Sequence, residues 1–353
     1  MPAISEEAVL NALRAIQDPD LRRDIVSLGF VKDVRICDGN VAVKIELTTP
    51  ACPVRDEMKA QAEAILRSLP QISSASVEMT AQVRGRAGAA EDLVPGVRHI
   101  IAVASGKGGV GKSTVAANLA IALAAAGAKV GLLDLDIYGP TIPLLLGITR
   151  KPLVTDTSEG PRIVPVQAYG VLTVSFGFFL EEDKAVVWRG PMLGKAVHQL
   201  FHDVTWGEQD YLIVDLPPGT GDVPMSLAQL VPISGVVIVM TPQQVAQDIG
   251  RKSITMFRTL EQASGKSIPI FGIVENMSGG VFGVGGAEEA AAKLEVPFLG
   301  RVDLDAAIAR SGDAGEPISA AAPQSAAGEA FRTIAETLAA RISVVQFNRE
   351  QSL

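Results

Sequence analysis

Ile100-Ile101-Ala102-Val103-Ala104-Ser105-Gly106-Lys107-Gly108-Gly109-Val110-Gly111-Lys112-Ser113-Thr114 decides the fold. An apolar strand runs into a glycine-rich turn, and residues 114–126 continue as a helix-forming run. Residues 106–113 fit the pattern G-x-x-x-x-G-K-[ST]. That pattern needs glycine because backbone N–H groups must turn inward around phosphate oxygens, where a Cβ would obstruct them. The N-terminus of the following helix adds partial positive charge beneath the phosphates. On this reading Gly106, Lys107, Gly108, Gly109, Val110, Gly111, Lys112, Ser113 and Thr114 form a nucleotide-binding loop. Lys112 reaches the β- and γ-phosphates, and the Ser113 hydroxyl ligates Mg²⁺.

Downstream, short β-rich runs alternate with helical patterns. The runs are residues 99–104, 129–134, 172–175, 211–215, 235–241, 269–275 and 296–300. Nearly continuous apolar strands alternating with helices predict an α/β domain built on a parallel sheet covered on both faces. Ligands of such sheets sit at the carboxyl ends of the strands. Leu132-Leu133-Asp134-Leu135-Asp136 ends one strand there and Tyr211-Leu212-Ile213-Val214-Asp215 ends another. Carboxylates so placed can hold Mg²⁺ through water or orient an attacking water.

Upstream, residues 1–80 read as a small α+β domain. Ser5 is a candidate N-cap ahead of Val9, Leu10, Leu13 and Ile16 at helical spacing. Strands are expected at residues 30–37 and 41–48, joined by the turn Asp38-Gly39-Asn40. A helix over residues 53–69 and a closing strand at 77–80 follow. Residues 81–96, with Arg84-Gly85-Arg86-Ala87-Gly88 and no apolar period, read as a linker. The P-loop domain then occupies residues 97–353.

The 353 residues are 48% hydrophobic and 20% charged, an ordinary globular balance, and the net charge of −8 argues against a broad nucleic-acid-binding surface. Only two cysteines occur, Cys37 and Cys52, so no disulfide framework holds the fold and a reducing, cytoplasmic setting is expected. Residues 1–17 lack the apolar core of a signal peptide, and no run is long enough to span a bilayer. His198 and His202, four apart on an expected helix at 193–201, have a metal-compatible spacing but no thiol or carboxylate motif beside them, and read as a solvated face. Near the C-terminus, Phe331, Ile334, Leu338 and Ile342 fall at helical spacing. That stripe either packs on the core or lies on a membrane surface; with Arg332 and Arg341 its only bases, packing is the expectation and no stable membrane association is foreseen.

Lys107, five residues before Lys112, narrows the class. The string from Lys107 to Thr114 resembles the deviant Walker A motif of the MinD/ParA-like ATPases. The resemblance implies that Lys107 reaches nucleotide in a partner subunit, so that ATP promotes a homodimer. Within that class the chain resembles the Mrp/ApbC family of iron–sulfur cluster carriers over residues 97–318. The resemblance is carried by Asp134-Leu135-Asp136-Ile137-Tyr138-Gly139-Pro140-Thr141, Trp188-Arg189-Gly190-Pro191-Met192, Asp215-Leu216-Pro217-Pro218-Gly219-Thr220-Gly221-Asp222, Val274-Glu275-Asn276-Met277-Ser278 and Phe282-Gly283-Val284-Gly285-Gly286. The N-terminal part is similar to a small domain of iron–sulfur assembly factors through Asp18-Pro19-Asp20 and Leu47-Thr48-Thr49-Pro50-Ala51-Cys52-Pro53. Carried over by position, Lys107 and Asp136 are catalytic, Asp136 activating the hydrolytic water. Asp215 holds Mg²⁺ through water, and Asn276 reads the adenine edge. The implied activity is ATP hydrolysis coupled to dimerisation, in the service of apo iron–sulfur proteins or cluster-assembly proteins.

One departure matters. Family members carry a Cys-x-x-Cys between the Asn-Met-Ser and Phe-Gly-x-Gly-Gly elements, where two pairs bridge a [4Fe–4S] cluster across the dimer. Here Ser278-Gly279-Gly280-Val281 runs straight into Phe282, and no cysteine follows Cys52. Three readings stay open. Cys52, expected at a helix N-cap where the dipole favours thiolate, could supply a cluster ligand, with Cys37 a lesser candidate. The protein could serve the same pathway as an ATP-driven scaffold. Or it could be a MinD/ParA-like regulatory or positioning ATPase that carries no cluster.

Overall fold

The computed structural model describes residues 4–85, 94–158, 160–179, 190–221, 225, 229–230 and 233–351. Much of the expected linker (86–93), Trp188, Arg189 and Asp222 lie outside them. The chain forms two compact units, Met1–Arg84 with Ala339–Leu353, and Gly85–Leu338.

In the smaller unit the Ser5 hydroxyl accepts from the Ala8 N–H at 3.2 Å and starts the helix Glu6–Leu13. Two short strands, β1 (Gln17–Asp18) and β2 (Arg23–Asp24), pair antiparallel. A three-stranded sheet follows in the order β3 (Val31–Cys37), β4 (Asn40–Leu47), β5 (Ser74–Ala81). Asp38 and Gly39 both take positive φ (46° and 77°), which matches the twist of the two-residue turn joining antiparallel β3 and β4. The helix Arg55–Ser68 carries the chain from β4 to parallel β5. Leu13, Phe30, Ile45, Met58 and Leu66 meet in one core.

The last residues join this unit, not the larger domain to which the sequence reading gave them. Phe347 packs against that core, Arg23 lies over its ring at 5.9 Å, and Arg84 pairs with Glu350 at 3.1 Å. An apolar anchor and two cations outweigh continuity with the preceding segment. Phe347 and Glu350 sit on a helix, Ala326–Gln351, whose stripe of Phe331, Ile334, Leu338 and Ile342 is buried. That stripe packs against the protein, as the spacing led one to expect.

The larger unit contains an eight-stranded sheet. Its strands are β6 (Val97–Ala104), β7 (Val130–Asp134), β10 (Val166–Ala168), β11 (Val171–Ser175), β12 (Gln209–Asp215), β13 (Gly235–Met240), β14 (Ile270–Ser278) and β15 (Phe298–Asp303). Their order is β10-β11-β7-β12-β6-β13-β14-β15, all parallel except the β10/β11 pair. The seven strands read from sequence are all present. Sequence missed β10 and the antiparallel ribbon β8 (Leu153–Thr157) with β9 (Gly160–Val164); β8 is exposed throughout and β9 mostly half-buried, so neither shows an alternating buried face. Residues 100–104 of β6 and all of β7 and β13 are buried, as strands covered on both faces must be. Each such Val, Leu or Ile contributes about 1.5–3 kcal/mol by leaving water. The helix Lys112–Ala125 is apolar nearly all round and packs over β6, β7 and β12.

Candidate functional site

Chain order around β6 creates the site. The chain leaves β6, skips the place later filled by β12 and enters β7, then returns so that β12 and β13 flank β6. A crevice opens at such a switch point beyond the carboxyl ends of the strands. Register puts Asp215 of β12 directly beside Asp134 of β7. The glycine-rich loop follows β6 next door.

Within that loop Gly109 and Gly111 take φ of 78° and 77°, a left-handed conformation that a side chain resists. A Cβ on Gly106 would fall 2.5 Å from Ile249. Gly111 is the N-cap of the helix Lys112–Ala125, so the helix begins where the phosphates are expected. Val110 is buried, Gly108 and Gly109 are exposed, and Lys107 is half-buried. The Ser105 hydroxyl donates to the Lys107 carbonyl at 3.0 Å. Thr114 is half-buried in the first helical turn, and its carbonyl accepts from Asn118 at 2.9 Å.

Three of the expected site residues converge on a fourth. Lys112 Nζ donates to Asp215 Oδ1 at 2.5 Å and lies 3.4 Å from Asp136 Oδ2 and 3.2 Å from Ser113 Oγ. Ser113 Oγ donates to Asp215 Oδ2, also at 2.5 Å. Burial pushes Asp215 up, and the Lys112 charge pulls it back. Asp136 is 7% exposed, and its Oδ1 is buried without a hydrogen-bond partner. A buried carboxylate oxygen is rarely left so. With Ser113 Oγ and Asp215 beside it, the donor set is all hard oxygen, which fits Mg²⁺ and its waters.

Sequence reading left Asp134 without a role of its own, and the structure makes it a hub. It is fully buried, and Oδ1 accepts from the Asp136 N–H at 3.0 Å. Oδ2 accepts from the Ile142 N–H at 3.2 Å and from Ser175 Oγ at 2.8 Å. Both ends of the turn that carries Asp136 are thus tied to one carboxyl. Burial, then the Asp215 charge, push Asp134 up to about 7. The signal that could have found it is the pairing of Asp134 and Asp136 at one strand end.

Asn276, near the end of β14, is buried, and its Nδ2 donates to the Val110 carbonyl at 2.9 Å. The next segment, where the expected cysteine pair is missing, is a turn of glycines. Gly279, Gly280, Gly283 and Gly285 all take positive φ, and Val281 at its tip is 87% exposed. Buried Glu275 holds this turn, accepting from Ser278 Oγ at 2.8 Å and from the N–H groups of Gly285 at 3.0 Å and Ala287 at 2.8 Å.

Cys52 belongs to the smaller unit and is half-buried. It is not the N-cap expected for it. The helix starts at Arg55 with Val54 as cap, and the Cys52 carbonyl accepts from the Arg55 N–H at 3.3 Å. Pro53 and Val54 form the turn before the helix, which moves the thiol two residues back from the helix terminus. It lines a small pocket with Asp18, Asp20 and Thr49, where burial first and the Asp18 charge second raise Asp20. Cys37 is exposed, 3.8 Å from Asp38 Oδ2. Among the described residues no group of three or more His, Cys, Asp and Glu side chains is arranged to hold a metal ion. His198 and His202 stack at 5.6 Å, and His202 Nδ1 pairs with Asp203 at 2.9 Å. No helix among the described residues is long and apolar enough to cross a membrane.

Comparison with known proteins bears on the family and the fold. The family model described as NUBPL iron-transfer P-loop NTPase matches residues 96–339, and one described as iron-sulfur cluster assembly protein matches residues 6–79. An iron-sulfur cluster carrier protein of Synechocystis is 42% identical over 97% of this chain and 99% of its own length. A nucleotide-binding protein from Archaeoglobus fulgidus, solved with ADP, is 36% identical with a TM-score of 0.54, covering 64% of this chain and 90% of that one. The cell division ATPase MinD of Pyrococcus furiosus is 25% identical with a TM-score of 0.53, over 68% and 98%. With its large unit matched by one model, its small unit by the other, and a close relative along its whole length, the chain belongs to the family of NUBPL-type iron-transfer P-loop NTPases whose curated relatives are named iron–sulfur cluster carrier proteins.

Proposed function

We propose that the protein binds and hydrolyses ATP and uses it to deliver iron–sulfur clusters to apoproteins, or to support their assembly. The observation that carries the ATPase half is the convergence of Lys112, Ser113, Asp136 and Asp215 at the carboxyl edge of the sheet. Lys112 holds the β- and γ-phosphates, and the backbone N–H groups of residues 106–114 cradle them. When bound, Mg²⁺ neutralises charge building on the phosphate oxygens. Ser113, Asp136 and Asp215 are the side chains that hold it, Asp215 through water. The unpartnered Asp136 Oδ1 orients the attacking water. Lys107 reaches the nucleotide of a second copy, so that the working unit is an ATP-linked homodimer. Asn276 offers its remaining amide groups to the adenine edge.

The cluster is cargo. The turn after Ser278 has no ligating side chain before Glu288, so carriage falls to the small unit, where Cys52 is the thiol beside acidic side chains. One Cys52 from each subunit gives two thiolates, which suits a labile cluster completed by an acceptor. Partners are apo iron–sulfur proteins or assembly proteins, and the setting is the reducing cytoplasm.

Two measurements test the halves separately. Asp136→Asn should lower kcat about 10²–10⁴-fold with ATP affinity within about threefold; unchanged turnover would place water activation elsewhere. Anaerobic reconstitution with iron and sulfide should give a coloured protein that transfers its cluster to an apo acceptor, with colour lost in Cys52→Ala. A colourless protein in every nucleotide state overturns carriage and leaves assembly support.

A further inference from the structure

In a phosphate cradle the N–H groups must face inward, so the carbonyls of the same peptides must face outward. An outward carbonyl that is buried needs a donor. Val110 is in that position: it is 2% exposed, between left-handed Gly109 and Gly111, and its carbonyl accepts the Asn276 amide at 2.9 Å. The contact is tight. A Cβ on Gly111 would stand 2.2 Å from Asn276 Nδ2 and 3.4 Å from Met277 Cε, so the loop passes there only because residue 111 is glycine.

Asn276 is well placed to act as a fixed support. It lies on β14, two strands from β6 in the sheet. Immediately before it, the fully buried Glu275 accepts three hydrogen bonds from Ser278, Gly285 and Ala287. Immediately after it, Met277 turns left-handed (φ 56°), and the Leu304 N–H donates to the Ser278 carbonyl at 2.7 Å. The backbone on both sides of Asn276 is therefore pinned, and the side chain transmits that rigidity across to the loop.

We propose that Asn276 is a positioning residue of the phosphate loop: by holding the Val110 carbonyl outward, it sets the direction of the neighbouring N–H groups for a polyphosphate, whatever base that polyphosphate carries. This role rests on the nucleotide reading above and adds to base recognition, because one amide N–H is committed to Val110 while the other N–H and the oxygen remain. The two roles separate with a ligand that has no base.

The test measures Mg²⁺-dependent binding of ATP and of inorganic tripolyphosphate to the full chain and to Asn276→Ala. Both affinities should fall by a similar factor, about five- to tenfold for one lost hydrogen bond that orders the cradle. The melting temperature without ligand should fall by a few degrees, because the buried Val110 carbonyl loses its donor; a merely structural role would give that fall with tripolyphosphate affinity unchanged. Asn276→Asp keeps the size but cannot donate, and should bind tripolyphosphate no better than the alanine variant. Weaker ATP binding with unchanged tripolyphosphate binding in Asn276→Ala would confine Asn276 to the base and overturn the proposal. Retained tripolyphosphate affinity in Asn276→Asp would overturn it too. A parent chain that binds neither probe would overturn the nucleotide reading as a whole.

Discussion

Two glycine-rich loops leave the same edge of the central sheet, residues 105–111 after β6 and residues 279–286 after β14, and they are held in opposite ways. The first is fastened from outside: Lys112 and Ser113 at its end reach Asp215 on β12, Lys112 reaches toward Asp136 beyond β7, and Asn276 on β14 takes the Val110 carbonyl. The second is fastened at its own base and across itself, by the carboxylate of Glu275 and by the Gly279 N–H donating to the Gly283 carbonyl at 2.6 Å, and turns Val281 and Val284 to solvent. Both need left-handed glycines, Gly109 and Gly111 in one, Gly279, Gly280, Gly283 and Gly285 in the other. Glycine therefore supplies the path of a loop. Chemistry comes from the charged side chains that neighbouring strands aim at it.

The largest expected effect breaks the first loop's outside fastening. Lys112→Ala removes the cation between Asp136 and Asp215 along with the phosphate contact. ATPase kcat/KM should fall by about 10³-fold or more, in the range seen when a cation is lost from a phosphoryl-transfer site. Breaking a buried pair typically costs about 3–5 kcal/mol of stability. The loss here should reach only the low end, because Asp215, already pushed up by burial, can take a proton instead. Steady-state kinetics and chemical denaturation check the two parts. A variant with parent turnover would show that the loop works as a backbone cradle alone.

How much of this contrast was legible in the sequence follows from the same physics. The first loop was readable because its motif fixes residue types by sterics and charge, and because continuous apolar runs announce buried parallel strands. Asp136, Asp215, Lys112 and Ser113 were named in advance, and the structure brings all four together. What stayed hidden depends on partners far along the chain. Asp134 looked like Asp136, and only the contacts of its carboxyl to Ile142 and Ser175 separate a tether from a water-orienting group. Asn276 was assigned to the base, since nothing in one dimension brings it to a carbonyl 166 residues away. The ribbon of β8 and β9, exposed along β8, has no alternating buried face to read. Residues Ala339–Leu353 join the small unit through Phe347, an attachment with no local signature.

Asp134, paired in register with the Asp215 that fastens the first loop, also titrates, which sharpens the comparison through pH. Asp134 is raised to about 7, by burial first and then by Asp215, against a value near 3.9 in the unfolded chain. Between those values the folded form holds a proton that the unfolded form has lost. Its contribution to stability is thus complete below about pH 4 and disappears as pH rises through 7, at no more than about 1.4 kcal/mol per unit. Asp134→Asn should flatten that fall between pH 5 and 8, measured by denaturant unfolding with nucleotide and divalent cations removed. An undiminished slope in the variant would assign the titration to another carboxylate.

The smallest effect concerns the second loop. Glu275→Gln keeps size and polarity but exchanges one acceptor oxygen for an amide, and that amide must then face an N–H donor at Gly285 or Ala287, or the Ser278 hydroxyl. Ser278 can rotate its proton away; the two backbone donors cannot. Leaving one buried donor without an acceptor costs about 1–3 kcal/mol. The loss should appear as a lower melting temperature and as faster proteolysis within residues 279–286, while Val281→Ser at the exposed tip stays within about 0.5 kcal/mol of the parent. If Val281→Ser destabilised as much as Glu275→Gln, the turn would be held by its apolar tip, and the contrast between an externally tied loop and a self-contained one would fail. If Glu275→Gln also weakened tripolyphosphate binding, the two loops would be mechanically joined through Asn276, and the chain's two glycine turns would have to be treated as one device.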